Sequence, residues 1–174
     1  WLYDSGGASP TYDGTWIDAQ SGAPAVGAEI SPAEGFCYLN SSTQPVEAVF
    51  VGLVEEADYV EHEATGPHSG QTHAYNLMAS AYPVGEPINQ LDWSGFNGGL
   101  NQAEADQLFL WDAVTQEYKS FWLFDSDGTL PEYDGKWIDP TTGDVAGQEH
   151  VIAPADAVWL LKQSSESVRE NKPF

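Results

Sequence analysis

A passage of this chain is written twice. Residues 1–22, WLYDSGGASPTYDGTWIDAQSG, return at 122–143 as WLFDSDGTLPEYDGKWIDPTTG. Trp1, Leu2, Asp4, Ser5, Gly7, Pro10, Tyr12, Asp13, Gly14, Trp16, Ile17, Asp18 and Gly22 each match the residue 121 positions later. Chance does not hold Trp, Gly, Pro and Asp together in one register, so this is a true duplication. After a one-residue shift the match continues more weakly: Ile30, Pro32 and Leu39 pair with Ile152, Pro154 and Leu161.

The second copy has a long strand-like lead-in from about Val49 to Phe121, and the first copy has none. The chain therefore reads as opening partway through a repeat, with something upstream of Trp1 removed. Residues 1–45 read as an incomplete first repeat, 46–163 as a complete second one and 164–174 as a polar tail that frays or docks. A β half-unit lacking a strand exposes unpaired backbone groups and apolar surface. A removed N-terminal piece that stays bound, a rearrangement within the chain or a strand from a neighbouring subunit would fill that gap.

Strand signals are short, aromatic or β-branched, and bounded by Gly, Pro, Asn or Asp. They fall at 35–39, 46–54, 75–82, 107–112, 118–124 and 157–162, with a hairpin connection between Trp111 and Tyr118 and one helical turn over 102–107. No long amphipathic helix is visible. The expected fold is all-β, a β-sandwich or barrel whose halves are related by an internal pseudo-twofold repeat.

Charge narrows the partners. Five Lys plus Arg stand against 27 Asp plus Glu, a formal net charge of −22, so nucleic acid and anionic bilayers are repelled. No run of about 18 apolar residues offers a membrane span. Aromatics at 13% argue for a folded chain. The single cysteine, Cys37, rules out an intramolecular disulfide framework and reads as a core thiol.

The runs FVGLVEE, YNLMASAYPVG, ADQLFLWDAVTQEYKSFWLFD and AVWLLKQSS resemble a duplicated β domain found in predicted secreted proteins of Verrucomicrobia and related bacteria. Its closing Gly-Phe-Phe/Trp strand corresponds to Gly35, Phe36, Cys37 and Tyr38, and to Ala157, Val158 and Trp159. The chain departs from that pattern in lacking opening strands in its first unit and in carrying Ala157 in place of Gly. The resemblance implies an all-β fold and a secreted or cell-surface bacterial location, and brings no catalytic residues with it.

Three polar or aromatic patterns bear on chemistry. Asp4, Asp13 and Asp18, and in the second copy Asp125, Asp127, Asp134 and Asp139, place hard oxygen ligands in turns and could hold calcium; the same residues also build tight turns. No EF-hand is formed, because Leu130 and Lys136 stand where that loop wants Gly and Glu. Trp16 and Trp137, with Tyr12 and Tyr133, could stack on sugar rings, or plug the core. His62, His68 and His73, near Glu61 and Glu63, match no compact zinc site and read as solvated. Asn40-Ser41-Ser42 is a glycosylation sequon. A serine elbow, a His-Glu-x-x-His helix, a phosphate loop and a Cys-His pair are all missing, so the chain reads as a non-enzyme.

The leading expectation is a secreted structural protein that associates with itself in a filament, sheath or surface layer. Trp1, Leu2, Tyr3, Pro173 and Phe174 are its expected contacts, and salt or calcium would promote assembly. The rival is a carbohydrate-binding module with Trp16 and Trp137 as platforms.

Overall fold

The computed structural model describes residues 2, 5–9, 11–31, 33–39 and 55–173. They divide into two units, Trp1–Ser31 and Pro32–Phe174.

The first unit is held by backbone bridges between Leu2 and Trp16 and between Ile17 and Pro24. Each bridge has its counterpart in the second unit, Leu123 with Trp137 and Ile138 with Val145. The turns match as well. Asp18 N–H donates to the Ala23 carbonyl and Gly22 N–H to the Asp18 carbonyl, as Asp139 N–H does to Asp144 and Gly143 N–H to Asp139. Gly14 and Gly135 have φ of 78° and 73°, a left-handed conformation that glycine enters without Cβ strain. The duplicated sequence thus folds locally the same way in both places.

In the second unit all regular structure among the described residues is strand: β1 Tyr59–His62, β2 Ala74–Ala79, β3 Glu86–Pro87, β4 Trp93–Ser94, β5 Gln107–Asp112, β6 Glu117–Phe124, β7 Lys136–Ile138, β8 Val151–Ile152, β9 Ala157–Lys162 and β10 Val168–Asn171. They form a five-stranded sheet β2-β9-β5-β6-β7, a three-stranded sheet β1-β10-β4 and a β3-β8 ribbon. Every pairing between these strands is antiparallel. The β5–β6 hairpin closes because Asp112 Oδ1 accepts the Val114 and Thr115 N–H groups. Gln116 then turns the chain at φ 58°.

Alternation along the strands gives the five-stranded sheet two faces. The inner face carries Met78, Val158, Leu160, Leu108, Phe121, Leu123 and Trp137 by the register of the pairs. These pack in one core with Ile88, Ile152 and Val168 from the other two sheets' neighbourhoods, and with half-buried Trp93 and Phe96. Full burial of a Leu, Val or Phe side chain contributes about 1.5–3 kcal/mol. An aromatic run threads this core: Trp93 stacks on Phe96 at 6.4 Å, and Phe96 meets Trp137 edge-on at 5.3 Å.

Several expectations need correction. Of the two fates expected for the tail, it docks and does not fray, because β10 is the middle strand of the three-stranded sheet, with Val168 fully buried. Residues 35–39 form no strand. Glu34 makes a single bridge to Met78, and a Cβ on Gly35 would meet Leu77 Cγ at 2.8 Å, so a glycine is needed to pass there. Cys37 is exposed, not a core thiol. The helical turn over 102–107 is a turn followed directly by β5. The strand expected at 46–54 and the sequon at Asn40 lie outside the described residues.

Candidate functional site

The outer face of the five-stranded sheet is the most distinctive surface of the second unit. By register it carries Tyr75 and Leu77 from β2, Trp159 and Leu161 from β9, Gln107, Phe109 and Trp111 from β5, Tyr118, Ser120, Trp122 and Phe124 from β6, and Lys136 and Ile138 from β7. Lys136 is its lone charge. β-strand sequence dictates this: apart from Gln107 and Ser120, the outward positions of QLFLWD and EYKSFWLF are filled by aromatic residues that suit a pleated surface.

The rings touch one another. Trp111 and Tyr118 are 4.9 Å apart, Tyr75 lies 6.2 Å from Phe109 and 6.3 Å from Trp159, and Trp122 is 5.7 Å from Phe124. Trp159 Nε1 donates to the Tyr118 hydroxyl at 3.3 Å. The interplanar angles of these four pairs run from 49° to 90°, so the rings do not form a coplanar platform. Tyr75 is 66% exposed, and Trp111 and Tyr118 are nearly half exposed.

Two open depressions flank one row of this face. One, of about 670 Å³, is bordered by Thr72, His73, Tyr75 and Leu161. The other, of about 470 Å³, is bordered by Trp122, Phe124, Tyr133, Leu130 and Ile138 with Asn101 and Gln102. Between them the Gln107 side chain is tied to the 101–104 turn by two hydrogen bonds with Gln102.

The expected sugar platforms separate. Trp16 is 54% exposed and Tyr12 is exposed, while Trp137, in the same hairpin of the second copy, is 5% exposed. Trp137 is a core side chain, because its backbone pairing with Leu123 puts it on the inner face. Tyr133 stays exposed and faces Phe124 at 6.1 Å.

The expected calcium ligands are committed to turns. Asp13 accepts Ser5 N–H, Ser5 Oγ–H and Gly7 N–H; Asp134 accepts Ser126 N–H, Ser126 Oγ–H and Gly128 N–H. Hydrogen bonds from the Ser5 and Ser126 side chains lead the effects that hold these two carboxyls below the ordinary range. Asp18 is lowered first by the Ser21 N–H. Asp139 accepts Thr141 N–H, and Asp125 accepts Asp127 N–H. Among the described residues no three His, Cys, Asp or Glu side chains converge on a metal position. The carboxylates of Asp13, Asp18, Asp125, Asp134 and Asp139 thus serve their turns, the second of the two roles expected for them, while Asp127 gives its N–H to Asp125; Asp4 lies outside the described residues. Of the expected contacts, Leu2 is exposed and Pro173 half-buried, and Trp1, Tyr3 and Phe174 also lie outside.

Two buried polar clusters were missed by sequence. His62, expected to be solvated, is buried and bonds Glu170 at 3.1 Å. Glu170 also accepts Ser80 Oγ–H and Ala81 N–H. The serine hydroxyl is bound to the carboxylate and not to the imidazole, so this is no nucleophile–base arrangement. The second cluster pairs Lys162 with Asp106, at 0% and 1% side-chain exposure. Its signal was present: Val158, Leu160 and Lys162 share one strand parity, which places a rare cation on the core face.

The fold and this surface define an all-β protein with an aromatic sheet face that carries one charge. No known protein family matches the sequence, and neither a curated protein nor a solved structure matches it. No helix among the described residues is long and apolar enough to cross a membrane.

Proposed function

We propose that this chain is a structural, self-associating protein of a bacterial surface or extracellular layer, and that copies meet through the outer face of the five-stranded sheet. One observation carries the reading: an aromatic face with a single charge, Lys136, that leaves Tyr75, Trp111 and Tyr118 open to solvent, on a chain of net charge −22. Contiguous apolar patches on soluble proteins mark interaction sites, and Tyr and Trp dominate the energetics of such contacts. A highly charged partner gains little from a surface that offers it one charge. A second copy does, because face-to-face pairing is self-complementary and leaves the carboxylates at the rim. Exposed Trp16 and Leu2 of the first unit offer a further apolar contact.

Repulsion between acidic copies falls as salt shortens the screening length from about 30 Å at 0.01 M to about 8 Å at 0.15 M. Sedimentation velocity over a concentration series is expected to show larger species at physiological salt than at low salt. Trp111→Ser with Tyr118→Ser, at the exposed hairpin end, is expected to return the protein to monomer while its circular dichroism stays unchanged. A wild-type monomer at every salt and concentration would overturn the reading.

A second reading is supported by the depression beside Trp122, Phe124 and Tyr133, whose lining adds the amides of Asn101 and Gln102 to three aromatic rings. A neutral sugar has the matching mix of apolar ring faces and hydroxyls. Binding to a glycan array that is lost in Tyr133→Ala would favour this over self-association.

A further inference from the structure

The Lys162–Asp106 pair is more than a neutralised charge. Both side chains are removed from solvent, and Lys162 Nζ lies 2.5 Å from Asp106 Oδ2. The amine also donates to the Gly95 carbonyl and sits 5.2 Å from the centre of the Phe96 ring. The carboxyl is gripped from two sides: Gln163 N–H donates to Oδ1 at 2.8 Å and Asn97 N–H to Oδ2 at 2.9 Å. A nucleophile, an electrophile and backbone donors aimed at the electrophile's oxygens are thus assembled in a dry interior. Nothing in the proposed assembly surface uses them.

We propose that Lys162 and Asp106 condense into an intramolecular amide, cross-linking β9 to the start of β5 inside the core.

The step balances without any outside reactant. A proton passes from the ammonium to Oδ2, giving a neutral amine beside a carboxylic acid. The amine lone pair then attacks Cγ, forming the Nζ–Cγ bond and sending the carbonyl electrons to Oδ1, where Gln163 N–H holds the developing charge as an oxyanion-hole donor does. The attacking nitrogen gives a second proton to Oδ2. The Cγ–Oδ2 bond breaks, water leaves, and the carbonyl re-forms at Oδ1. Folding supplies the driving conditions. It fixes the two groups in contact, where effective molarities reach about 10⁵ M or more. It also buries two charges at high desolvation cost, which a neutral amide removes. A covalent tie between strands is what a load-carrying extracellular subunit gains from such chemistry, but the inference stands on the buried pair and not on the assembly reading.

Denaturing mass spectrometry of the purified full chain tests it. The expected mass is that of the sequence less one water. Succinimide formation at an Asp-Gly step, such as Asp13-Gly14 or Asp134-Gly135, also removes one water, so the site must be located. Cleavage after Lys and Arg is expected to leave residues 137–169 uncut at Lys162 and joined to the fragment that ends at Lys119. Lys162→Met, read under the same denaturing conditions whether or not it folds, is expected at its own full sequence mass with no joined fragment. A wild-type chain at full mass, or one lighter by water yet cut normally at Lys162, would overturn the proposal.

Discussion

Glu170→Ala is expected to lower the unfolding free energy by about 3 kcal/mol or more, because it leaves three buried or half-buried donors unpaired at about 1–3 kcal/mol each. The carboxylate is 3% exposed and serves three donors: His62 Nε2, Ser80 Oγ–H and Ala81 N–H. Deletion strands all three and cuts the tie between β10, β1 and the turn after β2. Glu170→Gln keeps one acceptor oxygen and is expected to cost less. Urea denaturation followed by tryptophan fluorescence would rank the two, since Trp93 lies 5.9 Å from His62. Equal, negligible losses would show that the cluster does not hold the sheet.

The same carboxylate sets an acid limit. Burial on its own raises the Glu170 carboxyl, but hydrogen bonds from His62, Ala81 and Ser80 outweigh it and hold the group below its ordinary value. A carboxyl depressed in the folded state stabilises above its unfolded value, near pH 4.3, and loses that contribution as pH falls through the folded value. Asp112, bonded by Lys119 and pulled down to about 2, acts in the same direction. Glu86 works against them. Burial, then the nearby charges of Glu170 and Asp92, raise its carboxyl. A raised carboxyl destabilises the fold above its folded value and stops doing so as it protonates. Glu86→Gln is therefore expected to stabilise the protein at pH 7 and to lose that advantage towards pH 4; an equal effect at both pH values would refute the assignment.

How far the sequence revealed this molecule depended on which physical signal each element carried. The strands at 107–112, 118–124 and 157–162 were legible because six or more alternating aromatic and aliphatic residues leave little choice of conformation. β3, β4 and β8 have two residues each, too few for any period to show. β10 reads as a polar tail, because VREN has one apolar residue and its burial depends on partners that are distant in sequence. The two copies share matching backbone bridges, yet the duplication could not tell Trp16 from Trp137. Identical local sequence fixes local backbone; which face is covered is decided by the strands that pair alongside, and only the second copy's Trp137 is placed against Phe96 in the described core. The Asp-rich loops left two readings open, metal binding and turn building. Their acidity suggested metal, but the neighbouring Ser and Gly N–H groups were already adequate partners.

Phe121→Ala is expected to be as damaging as the loss of Glu170, by a different route. Phe121 is fully buried on the inner face opposite Leu108, also fully buried, with its ring 4.6 Å from that of His150. Removing the ring leaves a cavity in a close-packed core, and such truncations cost about 3–5 kcal/mol. Against a total of about 5–15 kcal/mol for a natural domain, that leaves little margin. Trp122, the next residue, faces the other way and is half-buried, so Trp122→Ser is expected to lower thermal stability less than Phe121→Ala while weakening association. Scanning calorimetry and sedimentation on this adjacent pair separate the two faces of one strand. If Phe121→Ala also lowers the fraction of chains that have lost water between Lys162 and Asp106, the amide forms after folding, because only the packed core brings β5 and β9 into register. An unchanged fraction would mean that the two residues meet without that core, and would remove the reason for placing the bond inside it.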